Sequence, residues 1–151
     1  MKQALVPFVC IFLMTASAAE PLVGTWRLDH QEINGAQTDS DPLTLKVSQS
    51  GDKLTFAFSV PVNNVYFVSM TYTLKLDGSE AEVKNAQGEK MGTVQMTRGA
   101  ALQYKLILKG QNRPDSSGRI TVSADGKILT SEADTMKAGR ALHSTQVFKR
   151  Y

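Results

Sequence analysis

The sequence predicts an all-β protein, a single antiparallel up-and-down β-barrel of about eight to ten strands. Three observations predict it. Apolar and polar residues alternate with period two through nearly every segment after Glu20, turn-forming clusters interrupt that rhythm at short intervals, and helical periodicity is nearly absent. A sequential antiparallel sheet of this length accumulates twist and exposes two edges, and closure into a barrel removes both. A two-sheet sandwich is the competing architecture, but its crossovers normally need longer connections than most of those present.

Residues 1–19 carry the pattern of a removable export signal: Lys2, an apolar run over residues 4–14, then Ala16, Ser17, Ala18 and Ala19. The expectation is an exported protein, periplasmic or extracellular, whose residues 20–151 form one domain. The only cysteine, Cys10, lies inside the signal, so the exported part is expected to have neither a disulfide nor a thiolate metal site. Pro7, Phe8 and Val9 are not the small residues that a lipid-modified cysteine requires before it. No apolar run after residue 20 approaches the ~18 residues of a spanning helix, so no membrane span is expected once the signal is removed.

The strands follow in order. Leu43, Leu45 and Val47 share one face, then Leu54, Phe56, Phe58 and Val60. Tyr66, Val68, Met70, Tyr72, Leu74 and Leu76 are expected on one face of a long strand, with Ser69, Thr71, Thr73 and Lys75 on the other. Leu102, Tyr104, Leu106 and Leu108 repeat the pattern, as do Ile120, Val122 and Ala124. Residues 127–136 alternate least clearly, with Ile128 and Met136 on one face and Leu129 and Ala133 on the other. Between the runs stand Asn34-Gly35, Ser50-Gly51-Asp52, Asn63-Asn64, Asp77-Gly78 and Asp125-Gly126, residues that adopt positive φ cheaply in tight hairpins. The most polar loop is residues 110–118.

The first strand carries Gly24, Thr25 and Trp26, and the chain ends Val147, Phe148, Lys149, Arg150, Tyr151. This opening resembles the GxW signature of lipocalins and fatty-acid-binding proteins, whose first-strand Trp packs against a basic residue of the last strand. The resemblance implies barrel closure through Gly24, Trp26 and Arg150, with Lys149 as the alternative cation. Physically, Gly24 permits a close backbone approach, and Trp26 plugs the floor and stacks on a guanidinium. Residues 72–78, 119–130 and 147–150 are similar to a group of small secreted bacterial proteins with lipocalin-like, calycin-type barrels of unassigned activity. That group supplies no functional residues to carry over.

Candidate chemistry is sparse. His30 and His143 lack partners at metal-ligand spacing, so no metal or other cofactor is expected. Ser144 or Ser131 with His143 and Asp134 makes a nucleophilic triad on paper, but no G-x-S-x-G elbow accompanies it. Glu132 and Asp134 project from one side of a strand. Facing inward they would form a proton-exchanging pair, whereas facing water, the expected placement, they would be ordinary carboxylates. Bases and acids are interspersed at a net charge of +3, and no basic face with stacking aromatics points to nucleic acid.

The aromatic residues offer more. Phe56, Phe58, Tyr66, Met70, Tyr72, Tyr104 and Phe148 all fall on apolar faces, and in a closed barrel such faces meet either a packed core or a ligand cavity. The leading expectation is an exported, non-catalytic barrel that binds a small apolar or amphipathic molecule with some of these seven residues. A protein-interaction module acting on an envelope partner through the 110–118 loop or a sheet face is the alternative. A calycin-type enzyme using Glu132, Asp134 or His143 as acid or base comes third.

Overall fold

In the computed structural model, which describes residues 18–151, eleven strands form one antiparallel sheet. They are β1 (Gly24–Ile33), β2 (Ala36–Thr38), β3 (Thr44–Ser50), β4 (Lys53–Val62), β5 (Val65–Leu74), β6 (Ala81–Asn85), β7 (Lys90–Arg98), β8 (Gln103–Gly110), β9 (Ser116–Val122), β10 (Ile128–Lys137) and β11 (Arg140–Arg150). From β3 to β11 each strand pairs with the next. The first part of β1 pairs with β3 and, from Trp26 to Ile33, β1 pairs with β11, so the sheet closes on itself and the sandwich alternative falls. Ten strands make the barrel. The eleventh, β2, is a short hairpin arm that pairs with the far end of β1 at Gln31, Glu32 and Ile33. The export-signal reading, apart from Ala18 and Ala19, lies outside the described residues.

Period-two alternation sends one face of every strand inward. Trp26, Leu45, Val47, Leu54, Phe56, Tyr72, Leu74, Val94, Met96, Tyr104, Ile120, Val122, Leu129 and Phe148 form one continuous buried cluster. These residues concentrate toward the end where the β3–β4, β7–β8 and β9–β10 turns lie, so that end is closed. At the opposite end, three two-residue turns have both residues at positive φ: Asn34-Gly35, Asn63-Asn64 and Ala138-Gly139. That geometry matches the right-handed twist of the flanking strands.

The floor is clasped by the two ends of the domain. Arg150 lies with its guanidinium carbon 4.2 Å from the Trp26 ring centroid, and donates to three carbonyls: Gly126 at 2.6 Å, Val23 at 2.8 Å and Pro21 at 2.9 Å. Trp26 in turn donates from Nε1 to the Leu22 carbonyl at 2.9 Å. Gly24, at φ +151°, leaves the space that the guanidinium fills; a β-carbon there would collide with Arg150. Lys149 is turned outward, to Asp29 at 2.7 Å.

Three β-bulges reset the alternation; the one on β7 makes Met91 the extra residue, since Gly92 pairs with Val83 and Lys90 with Lys84. On β1, Leu28 pairs with Phe148 and His30 with Val147, so Asp29 is the extra residue; beyond it Gln31 and Ile33 face inward, His30 and Glu32 outward. On β5, Met70 pairs with Phe58 and Val68 with Ser59, so Ser69 is extra. β4 alternates without interruption through Phe56, Phe58, Val60 and Val62. The bulge therefore places Phe67 and Val65 on the inner phase, opposite Val60 and Val62, and moves Tyr66 and Val68 to the outer phase. This corrects the expected single face for Tyr66, Val68 and Met70.

A substitution series on Arg150 measures the clasp. Urea unfolding of Arg150→Ala is expected to lose about 1–3 kcal/mol, the range for charge-assisted bonds with their acceptors left unpaired. Arg150→Lys should recover less than half of that, because an ammonium lacks the planar fork that reaches three carbonyls while lying over the indole.

Candidate ligand-binding site

The seven proposed lining residues separate into three groups. Phe56, Tyr72, Tyr104 and Phe148 are fully buried in the lower core. Phe56 and Tyr72 stack with centroids 4.8 Å apart and 21° between planes, and Phe58 lies 6.0 Å from Tyr72. Offset stacking of this kind contributes about 0.5–1.5 kcal/mol beyond area burial and stiffens the β4–β5 wall. Phe58 and Met70, directly opposite each other, form the half-buried upper edge of that core. Tyr66 is 51% exposed on the outer phase of the β4–β5 hairpin and does not join them.

Above the packed floor the inner face has two walls of different chemistry. Leu28, Phe58, Met70, Met91 and Leu108 are half-buried and apolar. On the inner face of β10 and β11, Ser131 lies opposite Gln146 and Ala133 opposite Ser144, all half-buried. Gln146 donates from Nε2 to Gln31 Oε1 at 3.1 Å, and Ser144 donates to the Ala133 carbonyl at 3.3 Å. Side chains at this level are reached by solvent, unlike those of the floor. Among the described residues no charged side chain is buried. The inward phase carries charge only at its rims, where Arg98 pairs with Glu20 at the floor, and where Lys137 at the end of β10 stands opposite Arg140 at the start of β11 at the mouth.

The two buried phenols are desolvated. Burial alone pushes the Tyr72 hydroxyl above the ordinary tyrosine range, with no hydrogen bond contributing. Tyr104 is pushed up to about 12, first by burial and then by the Glu20 carboxylate, which accepts its hydroxyl at 3.2 Å. Tyr72 is thus a polar atom within an aromatic wall, immediately below the half-buried residues.

The acid–base candidates lie outside. Glu132 accepts from Arg119 Nη2 at 2.6 Å and Nε at 3.1 Å; Asp134 Oδ1 is 2.7 Å from His143 Nδ1. Ser131 and Ser144 face inward, so the sheet separates both serines from His143 and Asp134 and the paper triad does not assemble. The inward proton-exchanging pair of Glu132 and Asp134 is likewise absent. These side chains border a groove of about 580 Å³ on the outer surface of β7–β11, together with Gln95, Lys105 and Ile107. Gly118 lets β9 and β10 approach closely there, since a β-carbon would meet the Glu132 carbonyl. Sequence reasoning missed this groove because it arises from the coiling of five strands. His30 sits against Asp29 at 2.9 Å, on the outer face. No group of three or more His, Cys, Asp or Glu among the described residues is placed to hold a metal ion.

The fold is thus a closed ten-strand antiparallel barrel. It is similar to the crystal structure of the zebrafish ileal bile acid-binding protein complexed with cholic acid, with a TM-score of 0.60 and 17% identity over 87% of this chain and all of that one. It is also similar to the siderocalin Ex-FABP, described as having dual ligand specificities, with a TM-score of 0.47 and 13% identity over 87% of this chain and 75% of that one. No family model and no curated protein matches the sequence.

The buried phenols set an alkaline limit on stability. Their folded-state pKa values lie above the unfolded value of 10.0, so the stabilisation is complete below pH 10 and is lost as the pH rises toward the folded values. Unfolding followed by urea midpoint should therefore weaken from about pH 10 upward. Tyr72→Phe and Tyr104→Phe should each flatten that decline.

Proposed function

We propose that the barrel binds a small amphipathic molecule, without catalysis, in the upper half of its interior. The observation that carries this reading is the division of the half-buried inner face into an apolar wall and an uncharged polar wall above a filled floor. An apolar body lying against Leu28, Phe58, Met70 and Leu108 gains roughly 25 cal/mol per Å² buried. The amide pair Gln31 and Gln146, with Ser131 and Ser144, offers donors and acceptors to a polar head. Inside the wall there is no cation to neutralise an anionic head, and burying an unpaired carboxylate is costly. The preferred ligand class is therefore neutral, such as a long-chain alcohol, a sterol or an acylglycerol. That the zebrafish structure holds cholic acid in a similar fold supports an interior ligand, although the head group proposed here differs in charge.

Fluorescence displacement with a matched fatty alcohol and fatty acid tests this. The alcohol is expected to bind at least about tenfold more tightly, and Phe58→Glu should abolish binding of both while the outer Lys105→Ala leaves it unchanged. Absence of any displacement or thermal shift across neutral and anionic lipophiles would overturn the proposal.

The site of action proposed is outside the cytoplasm. Lys2, the apolar run and the small residues up to Ala19 support it. Expression in a bacterial host followed by N-terminal sequencing of the exported fraction should yield Glu20 as the first residue. Retention of residues 1–19 would contradict it.

A further inference from the structure

The β4–β5 hairpin outruns its neighbours. β3 last pairs with β4 at Thr44–Ser59, and β6 leaves β5 at Asn85–Met70. Beyond those points the tips of β4 and β5 pair, among the described residues, only with each other, which leaves two free edges and two free faces. Val62, Val65, Tyr66, Phe67 and Val68 are each between 44% and 55% exposed. No charged residue occurs between Lys53 and Lys75. Natural edge strands are ordinarily guarded by charge, by proline or by a covering element, and contiguous apolar exposure marks an interaction site.

The two edges of this arm are not equivalent. Its turn is the two-residue Asn63-Asn64 with both φ values positive, so the flanking pair Val62–Val65 exchanges hydrogen bonds and the pairs alternate from there. Pro61–Tyr66 and Ser59–Val68 consequently direct their backbone groups away from the hairpin. On the β4 side the outward position is Pro61, which has no N–H, and this edge is blocked. On the β5 side Tyr66 and Val68 each present an N–H and a C=O, and no strand among the described residues meets them.

The chemistry of that edge selects its cover. A lipid bilayer would accommodate the side chains but leave the open edge unsatisfied, at several kcal/mol per backbone group in hydrocarbon. A β-strand satisfies both. Antiparallel pairing centred on Phe67 brings Tyr66 opposite Val68 of a second copy, and Val68 opposite its Tyr66, for four main-chain hydrogen bonds. Phe67 then faces its own counterpart at the close, non-bonded position, with Cα atoms ~4.5 Å apart. The pattern is self-complementary, as a twofold interface requires, and the uncharged arm adds no like-charge repulsion to a chain of net charge +3.

We propose that the free edge of β5 at Tyr66–Val68 is a homodimerisation site in which two copies of this chain join their β4–β5 arms about a twofold axis at Phe67. One hairpin buries less than the ~1,200 Å² of a stable interface, so the association is weak and depends on concentration. It does not rest on the ligand reading, and either can fail while the other stands.

Sedimentation of the purified chain over a roughly hundredfold concentration range, reaching about 1 mM, should show a monomer converting to a dimer and no larger species. Tyr66→Pro removes only the outward donor, copying what Pro61 does on the other edge, and Phe67→Lys sets like charges across the axis. Each should weaken dimerisation at least about tenfold with the circular dichroism and thermal midpoint of the monomer unchanged. Phe67→Cys should form an intermolecular disulfide on mild oxidation and lock the dimer. A chain monomeric throughout the range, a dimer indifferent to both Tyr66→Pro and Phe67→Lys, or a monomer that floats with phosphatidylcholine vesicles would each overturn the proposal.

Discussion

Closure of the barrel rests on the antiparallel pairing of β1 with β11, and Arg150 clasps it. One side chain lies over the Trp26 ring and bonds carbonyls from three separate places, residues 21, 23 and 126. Those carbonyls belong to the entry segment and to the β9–β10 turn, neither of which pairs with the other. A planar guanidinium joins them because its donors diverge in fixed directions, and the cation gains further from the aromatic face beneath it. With the first and last strands tied at the floor, every intervening strand must curve to complete the circuit. The inner face then follows from alternation.

A filled floor beneath an accessible upper half results from where large side chains fall along the strands. The inward rows of β10 and β11 run from Leu129 and Phe148 at the closed end to Ser131 and Ala133, and to Gln146 and Ser144, above them. Tapering residue size in this way packs one end to native density and leaves the other lined by half-buried groups. The same rows keep charge outside. Arg119 with Glu132, and His143 with Asp134, are cross-strand pairs on the water face, where their mutual attraction is worth little but their solvation is undisturbed.

The bulges on β1 and β5 reset which side chains of those strands point inward. Asp29 re-aims the far half of β1 so that Gln31 meets Gln146 inside, which supplies the polar wall. Ser69, whose hydroxyl donates to the Phe58 carbonyl at 3.2 Å, re-aims the tip of β5 and turns Tyr66 outward. One extra residue on β1 thus determines the chemistry of the mouth, and one on β5 the surface of the protruding arm.

The sequence by itself determined the all-β class, the sequential antiparallel order, most turns and most of the buried list, because each depends on period-two patterning and local turn chemistry. Trp26, Arg150 and Gly24 were legible as partners through a short signature at the two ends of the domain. Tertiary structure alone decided which strand faces reversed, since a bulge adds one residue without altering composition and slips the phase of everything beyond it. For that reason Tyr66 could not be placed outside, nor Gln31 and Gln146 inside, from the string alone. The outer groove and the free edge of β5 depend on how far neighbouring strands extend and how strongly they coil, and those lengths are set only when the sheet closes.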